Sequence, residues 1–244
     1  MFCSRQPIIC SVRENIYICS VRSYVKLYCA FIDISKALDY LVHENIWYKL
    51  IRLGIQGKMF SVIQSMYETV KSRVTMQNRV GNEFDCLLGV RQGESLSPFL
   101  FSMYINDLED ELCTKGFKGI DITLMKMFLL MYADDIIIMA ETPEDLQLGL
   151  NILEQYCNKW KLKLNKTKTK VIVSRKGGLL PRHLKFYYDN TELEMVSSFT
   201  YLGIVFTSGG SFSTAQQTFA GQAQKAVYKL KRHLLKFHNI TVSH

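Results

Sequence analysis

Two apolar patterns recur along the chain, and each predicts a different kind of element. Short apolar runs rich in β-branched and aromatic residues predict buried strands in "KLYCAFIDI" and "KVIVS". Apolar positions three and four residues apart predict helices in "SKALDYLVHENIWYKLIRLG", after an initial loop, and in "IQGKMFSVIQSMYETV". Gly54 is expected to end the first of these helices.

The stretch "SLSPFLFSMYINDLEDEL" has the same helical spacing and predicts one long, buried helix. We expect Ser97 to cap this helix and Pro98 to take its first helical position, where a missing backbone N–H is tolerated. Thr142 and Pro143 have the same signature further on, with acidic residues in the first turn, and predict the start of another helix.

Turn residues between apolar runs predict hairpins. "SRVTMQNRVGNEFDCLLGV" alternates around a Gly-Asn turn, and "SSFTYLGIVFTSGGSF" indicates a strand, a Gly turn and a second strand. Near the C-terminal end of the sequence, "AQKAVYKLKRHLLKF" predicts a basic amphipathic helix. Its apolar face would consist of Val227, Leu230, Leu234 and Phe237. This order of strands and helices predicts an α+β fold rather than regular βαβ units.

Charge and cysteine content narrow the class of protein. The formal net charge of +8 favours a polyanion as partner, although ribosomal and other RNA-binding modules share that property. The seven cysteines form no Cys-x-x-Cys pair, which predicts buried thiols rather than a zinc site or a disulfide framework. No apolar run is long enough for a transmembrane helix, and the N-terminus lacks a secretory signal. We therefore expect an intracellular protein with no membrane partner, in either the nucleus or the cytoplasm.

The acidic pair Asp134 and Asp135 interrupts the apolar run "LLMYADDIIIMA". The flanks predict two short antiparallel strands with both aspartates in the turn between them. An aspartate in such a turn is commonly structural, because its side chain bonds the local backbone. Equally, two carboxylates beside apolar strands repel each other unless a hard divalent cation such as Mg²⁺ offsets their charge.

A third carboxylate, Asp33, ends the apolar strand in "CAFIDISKALD". If the two strands lie side by side, Asp33 and Asp134 meet at one edge of a sheet. Two or three carboxylates at such an edge are the arrangement that binds metal ions in two-metal phosphoryl transfer. Two-metal phosphatases and nucleases also use aspartate clusters, so this pattern alone does not identify which reaction the site catalyses.

Five stretches resemble, in order and spacing, the palm motifs of reverse transcriptases, most closely those of non-LTR (LINE-type) retrotransposons. They are "FIDISKALD", "GVRQGESLSPFLFSMYINDL", "YADD", "LKLNKTKTKVIVS" and "YLGIVF". The resemblance implies a palm-type antiparallel sheet with helices on one face, partial fingers and the start of a thumb. It also implies an RNA-directed DNA polymerase that uses Mg²⁺ or Mn²⁺, an RNA template, a DNA primer and dNTPs. Protein partners are not predicted.

The resemblance assigns roles to individual residues. Asp33 and Asp134 match the metal-binding carboxylates, and the backbone carbonyl of Ile34 would complete the shell of the metal. Asp135 matches a third acidic position near the primer terminus. Lys168 matches the lysine that protonates the leaving pyrophosphate, although a solvated basic face formed with its neighbouring lysines is the alternative.

Other matches concern substrate binding. Gln92 and Gly93 match a motif that contacts the incoming nucleotide and the template, whereas Arg91 either contacts a phosphate or faces solvent. The stretch Tyr201, Leu202 and Gly203 matches the hairpin that grips the primer end. Leu38 stands where the family usually has an aromatic residue that excludes ribonucleotides, so we expect weaker sugar discrimination here.

The predicted domains follow from these matches. Residues 1–28 are unassigned, residues 29–206 form the palm with partial fingers at 54–90, and residues 207–244 begin a thumb with the basic helix. The segments that precede the palm in the family have no counterpart, which predicts a truncated copy. Two functions therefore stay open: an RNA-directed DNA polymerase domain, and a catalytically dead remnant that binds nucleic acid through its basic surface.

Overall fold

The computed structural model of the chain describes residues 26–237, except residues 69, 78, 123–124, 176–182 and 212. The predicted N-terminal segment 1–28 thus lies almost wholly outside the described residues. Only the backbone is described for residues 230–237, so the predicted apolar face at Leu230, Leu234 and Phe237 also lies outside them.

The strands of the described residues run from the first apolar segment to the start of the C-terminal helix. They are β1 (Leu27–Asp33), β2 (Lys71–Ser72), β3 (Thr75–Met76), β4 (Arg79–Val80), β5 (Phe84–Asp85), β6 (Ile120–Ile122), β7 (Met125–Met127), β8 (Leu129–Tyr132), β9 (Asp135–Ala140), β10 (Lys170–Ser174), β11 (Phe186–Tyr188), β12 (Thr191–Met195), β13 (Ser198–Tyr201) and β14 (Ile204–Thr207). The helices are α1 (His43–Arg52), α2 (Gly57–Glu68), α3 (Leu96–Tyr104), α4 (Leu108–Thr114), α5 (Pro143–Trp160) and α6 (Ser213–Phe237). In the described part of the chain, no helix combines the length and apolar character needed to cross a membrane.

Six of these strands form one sheet in the spatial order β11, β12, β10, β1, β9 and β8. Strand β1 lies between β9 and β10 and is antiparallel to both. The pairing of β10 with β12 is parallel, whereas the other pairs of this sheet are antiparallel. The predicted α+β fold with a mainly antiparallel sheet is therefore confirmed.

The two faces of the sheet are buried in different ways. Because side chains alternate along a strand, Ala30 and Ile32 of β1 pack in the main core with helices α1 to α5. Cys29 and Phe31 point to the opposite face, where Tyr201 and the partly buried Phe206 of the β13–β14 hairpin pack against them. Helices thus cover one face of the central strands, and hairpins cover the other.

A buried lysine joins α1, α5 and the break between α3 and α4 on the helical side. Lys49 of α1 is only 4% exposed, and its ammonium group lies 3.6 Å from the ring centroid of Trp160 at the end of α5. The same group donates hydrogen bonds to the Asp107 carboxylate and to the Tyr156 hydroxyl. Burial lowers the pKa of Lys49, and the negative charge of Asp107 opposes that shift.

The helix predicted as one long element is two, because the chain breaks between α3 and α4. Asp107 lies in this break and uses its carboxylate for Lys49 and for the Tyr156 hydroxyl, at 2.5 Å from the latter. Asp competes with helical hydrogen bonding and so favours such breaks. Pro98 is the third residue of α3, and the buried Ser97 donates its hydroxyl to the Arg91 carbonyl instead of capping the helix.

Other local predictions have mixed outcomes. The Thr142 hydroxyl accepts a hydrogen bond from the Asp145 amide at 3.2 Å, so the predicted cap of α5 is confirmed. The prediction of a hairpin turn at Gly81 and Asn82 was wrong. Strand β3 pairs with β4, so the chain reverses between Met76 and Arg79. The β11–β12 hairpin was not predicted at all.

Candidate active site

Three carboxylates lie at one edge of the central sheet. Asp33 is the last residue of β1 and pairs directly with Asp135, the first residue of β9. Asp134 precedes β9 in the tight turn from β8, where Tyr132 pairs with Asp135. The expected convergence is therefore present, although Asp135 belongs to a strand and only Asp134 lies in the turn.

The turn itself has an unusual backbone. Ala133 adopts a φ of +54°, in the left-handed region that residues with a side chain rarely use. Such conformations persist where the surrounding structure determines them, and the paired strands on both sides do so here. The consequence is that Asp134 projects from a two-residue connection whose position is fixed by β8 and β9.

Electrostatics at this edge favour a cation. Burial raises the pKa of the Asp135 carboxyl, and the negative charges of Asp134 and Asp33 raise it further. The Asp33 and Asp134 carboxylates therefore repel a negative charge on Asp135. A positive charge near them would relieve that repulsion.

The donor set at this edge consists of oxygen atoms. Asp33, Ile34 and Asp134 all line one cleft and offer two carboxylates and a backbone carbonyl. These are the ligand types that Mg²⁺ and Mn²⁺ prefer. Within the described ranges, no group of three or more His, Cys, Asp and Glu side chains is arranged to hold a metal ion, so the fit rests on this smaller set.

The cleft beside the acidic edge has a volume of about 600 Å³. Its wall combines acidic, basic and amide side chains with apolar ones in about equal measure. The lining residues are Asp33, Ile34, Ser35, Lys36, Ala37, Leu38, Tyr40, Gln92, Asp134, Lys163, Asn165 and Lys168. Six positions predicted from the sequence are thus brought together here: Asp33, Ile34, Leu38, Gln92, Asp134 and Lys168.

A loop after α5 holds Asp33 in place. The Asn165 amide donates to the Asp33 carbonyl at 2.8 Å, and the Thr169 hydroxyl accepts from the Asp33 amide at 3.2 Å. The Asn165 side chain accepts from the Lys168 amide at 3.2 Å, which shapes the turn that carries this lysine. As a result, the Lys168 ammonium group lies 4.0 Å from a carboxylate oxygen of Asp33.

Asn165 and Thr169 were missed in the sequence, although both position predicted residues. Thr169 is fully buried between the exposed Lys168 and the partly buried Lys170. The available signal was local: an asparagine followed by threonines is typical of a turn in which side chains bond the backbone. The contact of Thr169 with Asp33 is long-range and had no signal in the sequence.

The remaining predicted contacts do not line the cleft. Arg91 donates to the Glu94 carboxylate at 2.9 Å and to the Met66 carbonyl at 3.3 Å, so it is held in a local ion pair. Gly93 has a φ of +88°, and a Cβ there would meet no described atom within 4 Å. Its freedom of conformation serves the turn between Gln92 and α3.

The predicted primer hairpin lies on the opposite face of the sheet. Tyr201 is buried against Phe31, and its hydroxyl donates to the Asp135 carbonyl at 3.1 Å. Burial raises the pKa of Tyr201, so the hydroxyl stays protonated and keeps this bond. Leu202 is 40% exposed, and Gly203 follows it in the β13–β14 turn. The hairpin is therefore tied to the acidic edge through one hydrogen bond.

Comparison with known proteins gives a consistent result. A family model described as reverse transcriptase (RNA-dependent DNA polymerase) matches residues 10–206. The Pol polyprotein of the type-1 retrotransposable element R2 from Nasonia vitripennis is 28% identical over 207 residues, which are 82% of this chain and 20% of that protein. The Pol polyprotein of element R2DM from Drosophila melanogaster is 31% identical over 201 residues, covering 78% of this chain and 18% of that protein. The chain thus spans about a fifth of the length of these relatives.

A solved structure shares the fold. Apo telomerase from Candida tropicalis, truncated from its C-terminal domain, superposes with a TM-score of 0.56 at 16% sequence identity. The match covers 80% of this chain and 36% of that one. At this identity the likeness concerns the fold alone.

The hydrogen bond from the Asp33 amide to the Thr169 hydroxyl leads to a testable prediction. Thr169→Val removes the hydroxyl at nearly constant volume and leaves the Asp33 amide without its acceptor. We expect the free energy of unfolding, measured by urea denaturation, to fall by about 1–3 kcal/mol. Thr169→Ser keeps the hydroxyl and should lose less. An unchanged free energy of unfolding in Thr169→Val would show that the hydrogen bond to the Asp33 amide does not stabilise the fold.

Proposed function

We propose that this chain, which belongs to the reverse transcriptase (RNA-dependent DNA polymerase) family, contains the nucleotidyl-transfer site of an RNA-directed DNA polymerase. The observation that carries the proposal is the pairing of Asp33 with Asp135, with Asp134 in the adjoining turn at the border of the cleft. Relatives from non-LTR elements support it, since proteins of the jockey and BS elements of Drosophila melanogaster are named as RNA-directed DNA polymerases, the latter as a probable one.

The family generally uses a divalent metal ion, and the residues of this edge fit one. The Asp33 and Asp134 carboxylates, with the Ile34 carbonyl, would hold Mg²⁺ or Mn²⁺. When bound, such an ion lowers the pKa of an attacking hydroxyl and offsets the charge of a leaving pyrophosphate. In the reaction, the 3′-hydroxyl of a primer loses its proton to solvent and its oxygen forms a bond to the α-phosphorus of a dNTP. The bond from the α-phosphorus to the oxygen that bridges to the β-phosphorus breaks, and pyrophosphate leaves with that oxygen.

The side chains of the cleft have distinct tasks in this proposal. Lys168 places a positive charge beside Asp33, where negative charge develops on the leaving pyrophosphate. The exposed ammonium groups of Lys36 and Lys163 add positive charge to the same wall, which suits a triphosphate. Leu38 and Gln92 face the sugar and base of the nucleotide, or the template.

Primer and template would lie outside this cleft. The turn from Tyr201 to Gly203, tied to Asp135, would hold the primer end. The exposed Lys225 and Lys229 of α6 would follow a phosphate backbone, which gives affinity that depends on salt but not on sequence. The palm, fingers and thumb boundaries and the intracellular location stay predictions.

The net charge of +8 also supports the second candidate, a non-catalytic protein that binds nucleic acid through its basic surface. Primer extension on an RNA template with Mg²⁺ separates the two candidates. We expect the wild-type protein to extend the primer and Asp134→Ala to abolish extension. Asp110→Ala changes an exposed aspartate of α4 and should extend as the wild type does. Template binding without extension by the wild type would favour the non-catalytic candidate.

Leu38 gives a prediction about sugar selection. It is half-buried, packs against the core and lines the cleft, where the family usually has an aromatic ring. Leu38→Phe should raise the preference for deoxynucleotides over ribonucleotides by about tenfold, which corresponds to about 1.4 kcal/mol of added clash with a 2′-hydroxyl. The measurement is the ratio of kcat/KM for dNTP and rNTP incorporation. An unchanged ratio in Leu38→Phe would show that residue 38 does not select the sugar. Leu148→Phe on α5 is the control and should leave the ratio unchanged.

A further inference from the structure

The side chain of Gln92, which lines the cleft, is held by a hydrogen bond to a residue that does not line it. The Gln92 side-chain amide nitrogen donates to a carboxylate oxygen of Asp39 at 2.7 Å. Gln92 lines the cleft, whereas Asp39 lies behind it and is not among the lining residues. Among the described residues, Asp39 makes no salt bridge, so Gln92 is the partner of its carboxylate.

The backbone around both residues is held in a fixed register. The Val90 amide donates to the Leu38 carbonyl at 2.7 Å, and the Gly89 amide donates to the Leu41 carbonyl at 2.8 Å. Gly89 has a φ of +82°, and a Cβ on it would lie 2.6 Å from the Asp39 carbonyl oxygen. Because only glycine allows this approach, the two segments bring Asp39 close to Gln92 without freedom to slide.

The chemistry of the pair decides which end of the amide is available. An ionised carboxylate only accepts hydrogen bonds, whereas a glutamine amide has a donor end and an acceptor end. Asp39 therefore selects the orientation in which the Gln92 nitrogen faces it. The Gln92 carbonyl oxygen then remains as an acceptor for a ligand in the cleft.

We propose that Asp39 is a positioning residue, which holds Gln92 so that its amide oxygen accepts a hydrogen bond from an O–H or N–H group of the incoming nucleotide. The inference rests on the proposed function and adds a specificity-determining contact to it. Without Asp39, the amide turns freely and presents its donor end as often as its acceptor end. Nucleotide binding weakens as a result, while the acidic edge is untouched.

A double-mutant cycle tests this coupling. Primer extension gives kcat and the KM for dNTP with Asp39→Ala, Gln92→Ala and the double variant. We expect Asp39→Ala to raise KM about 3- to 10-fold with a smaller change in kcat, and a tenfold change corresponds to about 1.4 kcal/mol. In the Gln92→Ala background, Asp39→Ala should change KM by less than about twofold. Asp110→Ala is the control for loss of an acidic side chain.

A second test uses a reversed pair, in which residue 92 carries the carboxylate and residue 39 carries the amide. Gln92→Glu alone places two carboxylates together and should impair KM more than Gln92→Ala does. Adding Asp39→Asn supplies a donor toward the new carboxylate and leaves it an acceptor oxygen for the ligand, so KM should recover. Equal, additive losses from Asp39→Ala in both backgrounds, or no recovery in the reversed pair, would overturn the inference while the proposed function stands. No extension by the wild type would overturn both.

Discussion

The antiparallel pairing of β1 with β9 is the constraint on which the rest of the site depends. It brings Asp33 opposite Asp135 at the edge where both strands meet the β8–β9 turn. The acids repel one another there, but buried apolar residues along both strands hold the pair together. Full burial of one isoleucine side chain contributes about 1.5–3 kcal/mol, and Ile32, Ile136 and Ile138 are all buried in one core. Apolar burial thus supports the strand pair, and the sheet keeps a concentrated negative charge at its edge, where Asp134 is exposed and the other two aspartates are partly buried.

A second layer of contacts positions the residues around this edge. The loop after α5 bonds the backbone of Asp33 on both sides and carries Lys168 to it. The segment before α3 pairs with residues 38–41 and carries Gln92 to the cleft. The acidic edge is thus flanked by two loops that backbone and side-chain hydrogen bonds hold in place. Such support lets a charged site remain ordered without a large apolar pocket around it.

The sequence predicted several elements that depend on local pattern and on the order of motifs, although the Ser97 cap and the Gly81–Asn82 turn were wrong. The strands around Asp33 and Asp134, the capped α5 and the Tyr201 hairpin follow from apolar period and turn residues, and all are present. What it did not predict are contacts between distant segments. The break at Asp107 depends on Lys49, the buried hydroxyl of Thr169 depends on Asp33, and the orientation of Gln92 depends on Asp39. None of these pairs has a periodic signal, because each is set by the tertiary fold.

In the proposed function, two carboxylates far apart in the sequence, those of Asp33 and Asp134, act as one cation site. Titration of the chain with Mn²⁺, followed by electron paramagnetic resonance of the free ion, measures this without any polymerase activity. We expect Asp33→Asn and Asp134→Asn each to weaken Mn²⁺ binding by about tenfold or more, which corresponds to at least about 1.4 kcal/mol. Asp110→Asn should leave it unchanged. Binding that survives either of the two substitutions at full strength would contradict a shared site at the β1–β9 edge.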